Sequence, residues 1–110
     1  YAEIMADDIA GSRDREKQVL DRAVELLRSA MLKGRESRDA VEALYYTRRV
    51  WTAFIEDLRN PENQLPANIR ADLISIGIWV LKETDRIRLR QSENFKGVAD
   101  IITIIRDGLK

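Results

Sequence analysis

The chain has 110 residues, in which 19 Lys and Arg balance 19 Asp and Glu, and it contains neither cysteine nor histidine. Without cysteine there is no disulfide framework, thiolate nucleophile, Cys-ligated zinc or iron–sulfur cluster. Without histidine there is no Ser-His-Asp triad, no HExxH zinc site and no imidazole switch near neutrality. Zero net charge argues against broad electrostatic attraction to nucleic acid or to an anionic membrane.

The length suits one globular domain. Taken in chain order, residues 1–11 read as an N-terminal tail closed by Gly11 and Ser12. A first helix follows over roughly 13–33, with Val19, Leu20, Ala23, Val24, Leu26, Leu27, Ala30 and Met31 on one broad arc at about 100° per residue. Gly34 is placed as a helix stop and Ser37 as the next N-cap. A second helix is expected over roughly 38–59, where Leu44, Thr47, Val50, Trp51, Phe54, Ile55 and Leu58 share a face. Asn60–Pro66 is the clearest loop, with Pro66 suited to a first helical turn. The third helix, roughly 66–89, contains Leu73–Leu81, apolar nearly all round, and is expected to be the most buried, with Gly77 admitting a neighbouring backbone. Ser92 or Asn94 caps a fourth helix over roughly 95–109, with Phe95, Val98, Ile101, Ile102, Ile105 and Leu109 on one stripe. Short connections between four amphipathic segments predict an antiparallel four-helix bundle with an N-terminal tail.

Leu73–Leu81 falls far short of the roughly 20 apolar residues that span a bilayer, so no membrane insertion is expected. No signal peptide is visible, which makes the cytoplasm the default location. Because the chain begins at Tyr1 rather than Met, a natural start upstream is an expectation.

Little chemistry survives this composition. The pairs Asp21/Glu25 and Asp39/Glu42 share helix faces, but among polar residues, where carboxylates are ordinary solvated surface. A di-metal carboxylate bundle normally adds Glu-x-x-His motifs, and none exists here. There is no Gly-rich phosphate loop and no Ser-x-x-Lys motif. An enzyme, a metal and a cofactor are all unexpected.

Two surface readings remain. Tyr45-Tyr46-Thr47-Arg48-Arg49-Val50-Trp51 mixes rings and guanidiniums, and Arg86, Arg88 and Arg90 form a second basic cluster. Together Arg48, Arg49, Arg86, Arg88 and Arg90 are candidate RNA contacts, with ordinary helix amphipathicity as the plainer explanation. Separately, Tyr46 projects away from the Leu44/Trp51 stripe toward Arg49 and Ala53, and Ile78 and Trp79 flank the third helix on opposite sides. These surplus apolar groups, with Tyr1, Ile4 and Met5 of the tail, are candidates for holding a partner helix, a role that needs no catalytic group.

Several segments carry a family likeness. Tyr1-Ala2-Glu3-Ile4, Leu20–Leu27, Glu42-Ala43-Leu44, Trp51–Leu58, Asn94-Phe95-Lys96-Gly97 and Ile105–Leu109 resemble the FlaF family of flagellar biosynthesis regulatory proteins. Its most specific part is Ile74-Ser75-Ile76-Gly77-Ile78-Trp79-Val80, and it runs in order over essentially the whole chain. The resemblance implies a cytoplasmic, non-enzymatic protein of flagellated bacteria, linked to flagellin synthesis and export. It implies flagellin as a bound partner, in the manner of a chaperone or adaptor, alongside a second regulator, FlbT, that restrains flagellin translation. It brings no residue-level binding motif.

Overall fold

The computed structural model describes the backbone of residues 2–108 and the side chains of residues 15–108. Among the described residues the chain forms four helices and no strand: α1 (Ala2–Lys33), α2 (Arg38–Arg59), α3 (Ala67–Arg88) and α4 (Phe95–Gly108).

The expected tail is not separate. α1 is one helix of 32 residues that passes through Gly11 and Ser12. An interior glycine costs only about 1 kcal/mol relative to alanine, and neither a proline nor a capping turn reinforces it. The tail candidates Tyr1, Ile4 and Met5 lie outside the residues whose side chains are described.

The breaks between helices follow local chemistry. Gly34 adopts φ +95, and its N–H donates to the Ala30 carbonyl at 2.8 Å, the left-handed end that favours glycine. Ser37 caps α2: its hydroxyl accepts from Ala40 N–H at 3.1 Å and donates to Gly34 O at 2.6 Å. Pro66 sits just outside α3 as its N-cap, with φ −55 and ψ 146, and its carbonyl accepts from Arg70. Asn94 caps α4 through Gly97 N–H at 3.0 Å, and Ser92 in turn accepts from Asn94 N–H. A Cβ at Gly97 would push the capping Asn94 side chain aside.

The helices pack in ring order. α1 lies against α2 and α4, α2 against α3, and α3 only brushes α4. Cross-helix pairs run in opposite senses: Arg106 of α4 meets Asp21 while Asp100 meets Arg28 further along α1. Likewise Arg48 of α2 reaches Asp85 of α3, while Asn60 accepts from Arg70. The long axis of 49 Å matches a 32-residue helix at about 1.5 Å per residue.

The core is built from Leu20, Ala23, Leu27 and Ala30 of α1, Ala40, Ala43 and Trp51 of α2, Val80 and Ile87 of α3, and Val98, Ala99 and Ile102 of α4. Trp51 is fully buried and meets Phe54 edge to face at 5.4 Å between ring centroids. The buried Thr47 Oγ1 and Trp51 Nε1 have no hydrogen-bond partner.

The third helix departs from expectation. α3 buries only Gly77, Val80, Glu83, Thr84 and Ile87. Ile78 is 44% exposed, Trp79 39% and Ile69 42%. The cause is the number of neighbours, since α3 has one full partner helix where the expectation needed more. Gly77 does mark a close approach, but to side chains rather than backbone. A Cβ there would stand 2.9 Å from Ile55 Cδ1 and 3.0 Å from Trp51 Cε3.

Candidate functional site

Two concavities and one exposed face gather the residues singled out from sequence. The first concavity is a groove of about 440 Å³ between α1 and α2. Its walls are Val19 and Leu20 from α1 and Tyr46, Val50, Ala53 and Phe54 from α2. Arg49, Glu16 and Asp57 supply its charge. Tyr46, Arg49 and Ala53 therefore meet as their spacing predicts, because positions three and four apart stack on one side of a helix. Val19, Leu20 and Glu16 join only through the packing of α1 on α2.

Ile78 and Trp79 do not line this groove. They stand on α3, about 100° and 200° around from Gly77, and both remain exposed. The structure thus separates Tyr46 from the α3 pair instead of assembling one site.

The second concavity, about 570 Å³, lies where α2 and α3 meet the turn after α1. Its apolar floor is Val41, Leu44, Tyr45 and Ile87, and its charged rim is Arg35, Glu36, Arg48, Arg88 and Arg90. Three of the five arginines considered for RNA, Arg48, Arg88 and Arg90, converge here. Arg86 instead pairs with the buried Glu83 at 3.2 Å, and Arg49 stands 5.8 Å over the Tyr45 ring. Sequence reasoning missed Arg35 and Glu36. The signal available was Gly34, whose turn carries the next two residues back toward α2 and the end of α3.

Four of the five basic candidates are held by carboxylates: Arg48 and Arg88 by Asp85, Arg86 by Glu83, and Arg90 by Glu36. Arg48 also donates to the Leu81 carbonyl at 3.0 Å, which ties α2 to α3. The Arg88 hydrogen bond, with Arg48 and Arg88 charge behind it, holds the Asp85 carboxyl below the usual carboxylate range, against a smaller opposing effect of burial.

The carboxylate pairs are structural. Asp21 holds Arg106 at 2.7 Å, which with Asp107 raises the Arg106 pKa. Glu25 pairs with Arg22 along the exposed side of α1. Asp39 is held down by the Ser29 hydroxyl, at 2.9 Å, and then by Lys33. Among the described residues no group of three or more acidic side chains could hold a metal ion. No helix among them is long and apolar enough to cross a membrane.

A family model described as flagellar protein FlaF matches residues 1–109. The chain belongs to the FlaF family. Membership assigns it to flagellar biosynthesis and its regulation. Neither the comparison with curated proteins nor that with solved structures returns a match. For this member of the FlaF family, the bundle geometry is therefore the source of any finer statement about sites.

Proposed function

We propose that the protein binds flagellin in the cytoplasm as a chaperone and adaptor. In this reading it captures an amphipathic terminal segment, keeps monomers from polymerising and couples flagellin supply to export and translation. The observation that supports this is exposed apolar surface on α3, where Ile78 and Trp79, about 100° apart, and Ile69 near the start of the helix remain in water on a helix with one full neighbour. An amphipathic helix laid on such a face buries its own stripe through apolar anchors at helical spacing. Tryptophan is among the residue types most often found to dominate binding energy. The Tyr46 groove between α1 and α2 is a second place for the same kind of contact. No catalytic step is part of the reading, and FlbT is the partner through which occupancy reaches translation.

Titration calorimetry with full-length flagellin, and with flagellin lacking either terminal segment, tests the reading. Heat from the full-length protein that disappears with one terminus is the expected result. An affinity for full-length flagellin that Trp79→Ala reduces by about tenfold or more, as for a binding hot spot, places the contact on α3. Absence of heat with full-length flagellin ends the reading.

A further inference from the structure

The cleft where the start of α2 meets the end of α3 is separate from the exposed Ile78 and Trp79 and from the Tyr46 groove, and its chemistry differs from both. Four guanidiniums border it: Arg35, Arg48, Arg88 and Arg90. They share three carboxylates, because Asp85 serves both Arg48 and Arg88, while Glu36 holds Arg90 at 2.9 Å and Glu93 holds Arg35 at 3.0 Å. The rim is therefore one negative charge short. Both partners in the Arg90–Glu36 pair are largely exposed, as is Glu93. Exposed pairs of this kind contribute little and exchange readily for another carboxylate.

Arg90 carries a second, independent observation. It has φ +63, the left-handed region that favours glycine. The position is the left-handed residue of a Schellman turn closing α3: Gln91 N–H donates to Arg86 O at 2.8 Å, and Arg90 N–H donates to Ile87 O at 3.1 Å. Glycine would close this turn without strain. An arginine here spends backbone energy on placing a guanidinium at the cleft, and strain kept in this way points to a use for the side chain.

We infer that the cleft between α2 and α3 docks an acidic, amphipathic peptide segment of a partner protein, one apolar side chain resting on the exposed Val41 and Tyr45 while a neighbouring carboxylate takes the guanidinium of Arg90. The apolar floor calls for an apolar anchor, and every rim arginine is already matched to a carboxylate, the group its planar fork fits. The local excess suits one or two carboxylates. A nucleic-acid backbone repeats its charge at every phosphate and needs a longer basic track.

The test uses a fluorescent, capped twelve-residue peptide with leucines at helical spacing flanked by glutamates, titrated against the full chain by anisotropy. Amide NMR shifts locate the contact. The expected result is saturable binding that weakens with salt, shifts Val41, Tyr45 and Arg90, and falls about tenfold or more when glutamates become glutamines. Arg90→Gly is expected to keep or raise the unfolding midpoint while losing a similar factor in affinity. If Arg90→Gly lowers the midpoint, Arg35→Gln and Arg88→Gln carry the charge test instead. Equal binding of the glutamine peptide, binding indifferent to these variants, or no binding at all overturns the inference. So does a twelve-residue oligouridylate that occupies the cleft when the peptide does not.

Discussion

Helices α2 and α3 each have 22 residues, and they bury their apolar side chains very differently. In α2 the large apolar residues Leu44, Trp51 and Leu58 are buried, and its outward positions are polar at Glu42, Arg49 and Glu56, with Val41 and Tyr45 exposed only where they line the cleft. In α3 the apolar residues encircle the helix, yet its buried positions include a glycine, a threonine and a glutamate while Ile69, Ile78 and Trp79 face water. Apolar content sets how much a helix has to bury; the number of neighbours sets how much it can. α2 lies between α1 and α3 and has two full neighbours. α3 has α2 and little of α4, because α4 has 14 residues and, running back from the end of α3, stops short of its first turns. What the fold leaves unburied on α3 is available to a partner.

The contrast breaks most visibly at the two tryptophans. Trp51→Ala empties a fully buried site beside Phe54 and is expected to cost about 3–5 kcal/mol of stability, read as a fall in the urea midpoint. Trp79→Ala removes a ring that already keeps 39% of its exposure, and should cost about 1 kcal/mol, the centre of the distribution for point mutants. Equal losses from both would mean that α3 is as deeply packed as α2, and the comparison fails.

Gly77 is where side chains of α2 press against the backbone of α3, and it sharpens the same contrast. Alanine there gains about 1 kcal/mol in helix propensity. Its Cβ also lands 2.9 Å from two atoms of Ile55 and 3.0 Å from the fixed Trp51 ring, and such overpacking costs about 1–3 kcal/mol. A net loss of about 1 kcal/mol is expected, and most of it should vanish when the Gly77→Ala/Ile55→Ala double variant is compared with Ile55→Ala alone. Denaturation of the three variants forms a cycle that tests this, and additive effects would show that α2 and α3 do not interlock at this point.

How legible this was in the sequence depends on the kind of signal. Ser37, Asn94 and Gly34 act through their own backbone or one a few residues away, so helix ends could be read within short windows. Gly11 misled because a lone glycine weakens a helix without ending it. The α3 error was of another kind. Periodicity reports how apolar residues are distributed around a helix but contains nothing about the length of the helix opposite. The grouping of Tyr46, Arg49 and Ala53 was visible as stacking within α2. The arginine cleft was half visible: Arg48 and the Arg88/Arg90 pair stand out, but their convergence depends on the antiparallel pairing of α2 with α3, and Arg35 arrives through the Gly34 turn.

A smaller effect is expected inside the core. Thr47 Oγ1 is buried without a partner, so Thr47→Val replaces a desolvated hydroxyl by a methyl group of similar size. The variant should be neutral or more stable by up to about 1 kcal/mol, at the scale of one hydrogen-bonding group. A clear loss by calorimetry would indicate that the hydroxyl has a bonded water in solution.

The smallest expected effect compares the two aspartates that tie outer helices to inner ones. Asp85 links α3 to Arg48 of α2, and Asp100 links α4 to Arg28 of α1. Both have pKa values below the ordinary one: Asp85 chiefly through the hydrogen bond from Arg88, and Asp100 chiefly through that from Lys96. The unfolded chain therefore takes up these protons at higher pH than the folded chain does. Each aspartate's stabilisation is complete above the unfolded carboxylate pKa, near 4, and is lost as pH falls through the lower folded value. Thermal midpoints of Asp85→Asn and Asp100→Asn should each decline less between pH 5 and pH 3 than the parent, and salt should shrink the difference, since these pairs are exposed. If α3 is the loosely held helix, Asp85→Asn should also speed amide exchange in the last turns of α3, where Asp85 holds Arg48 and Arg88, while Asp100→Asn leaves α4 protected by its buried Val98, Ala99 and Ile102. Faster exchange in α4 than in α3 would reverse the assignment of which helix is loosely held.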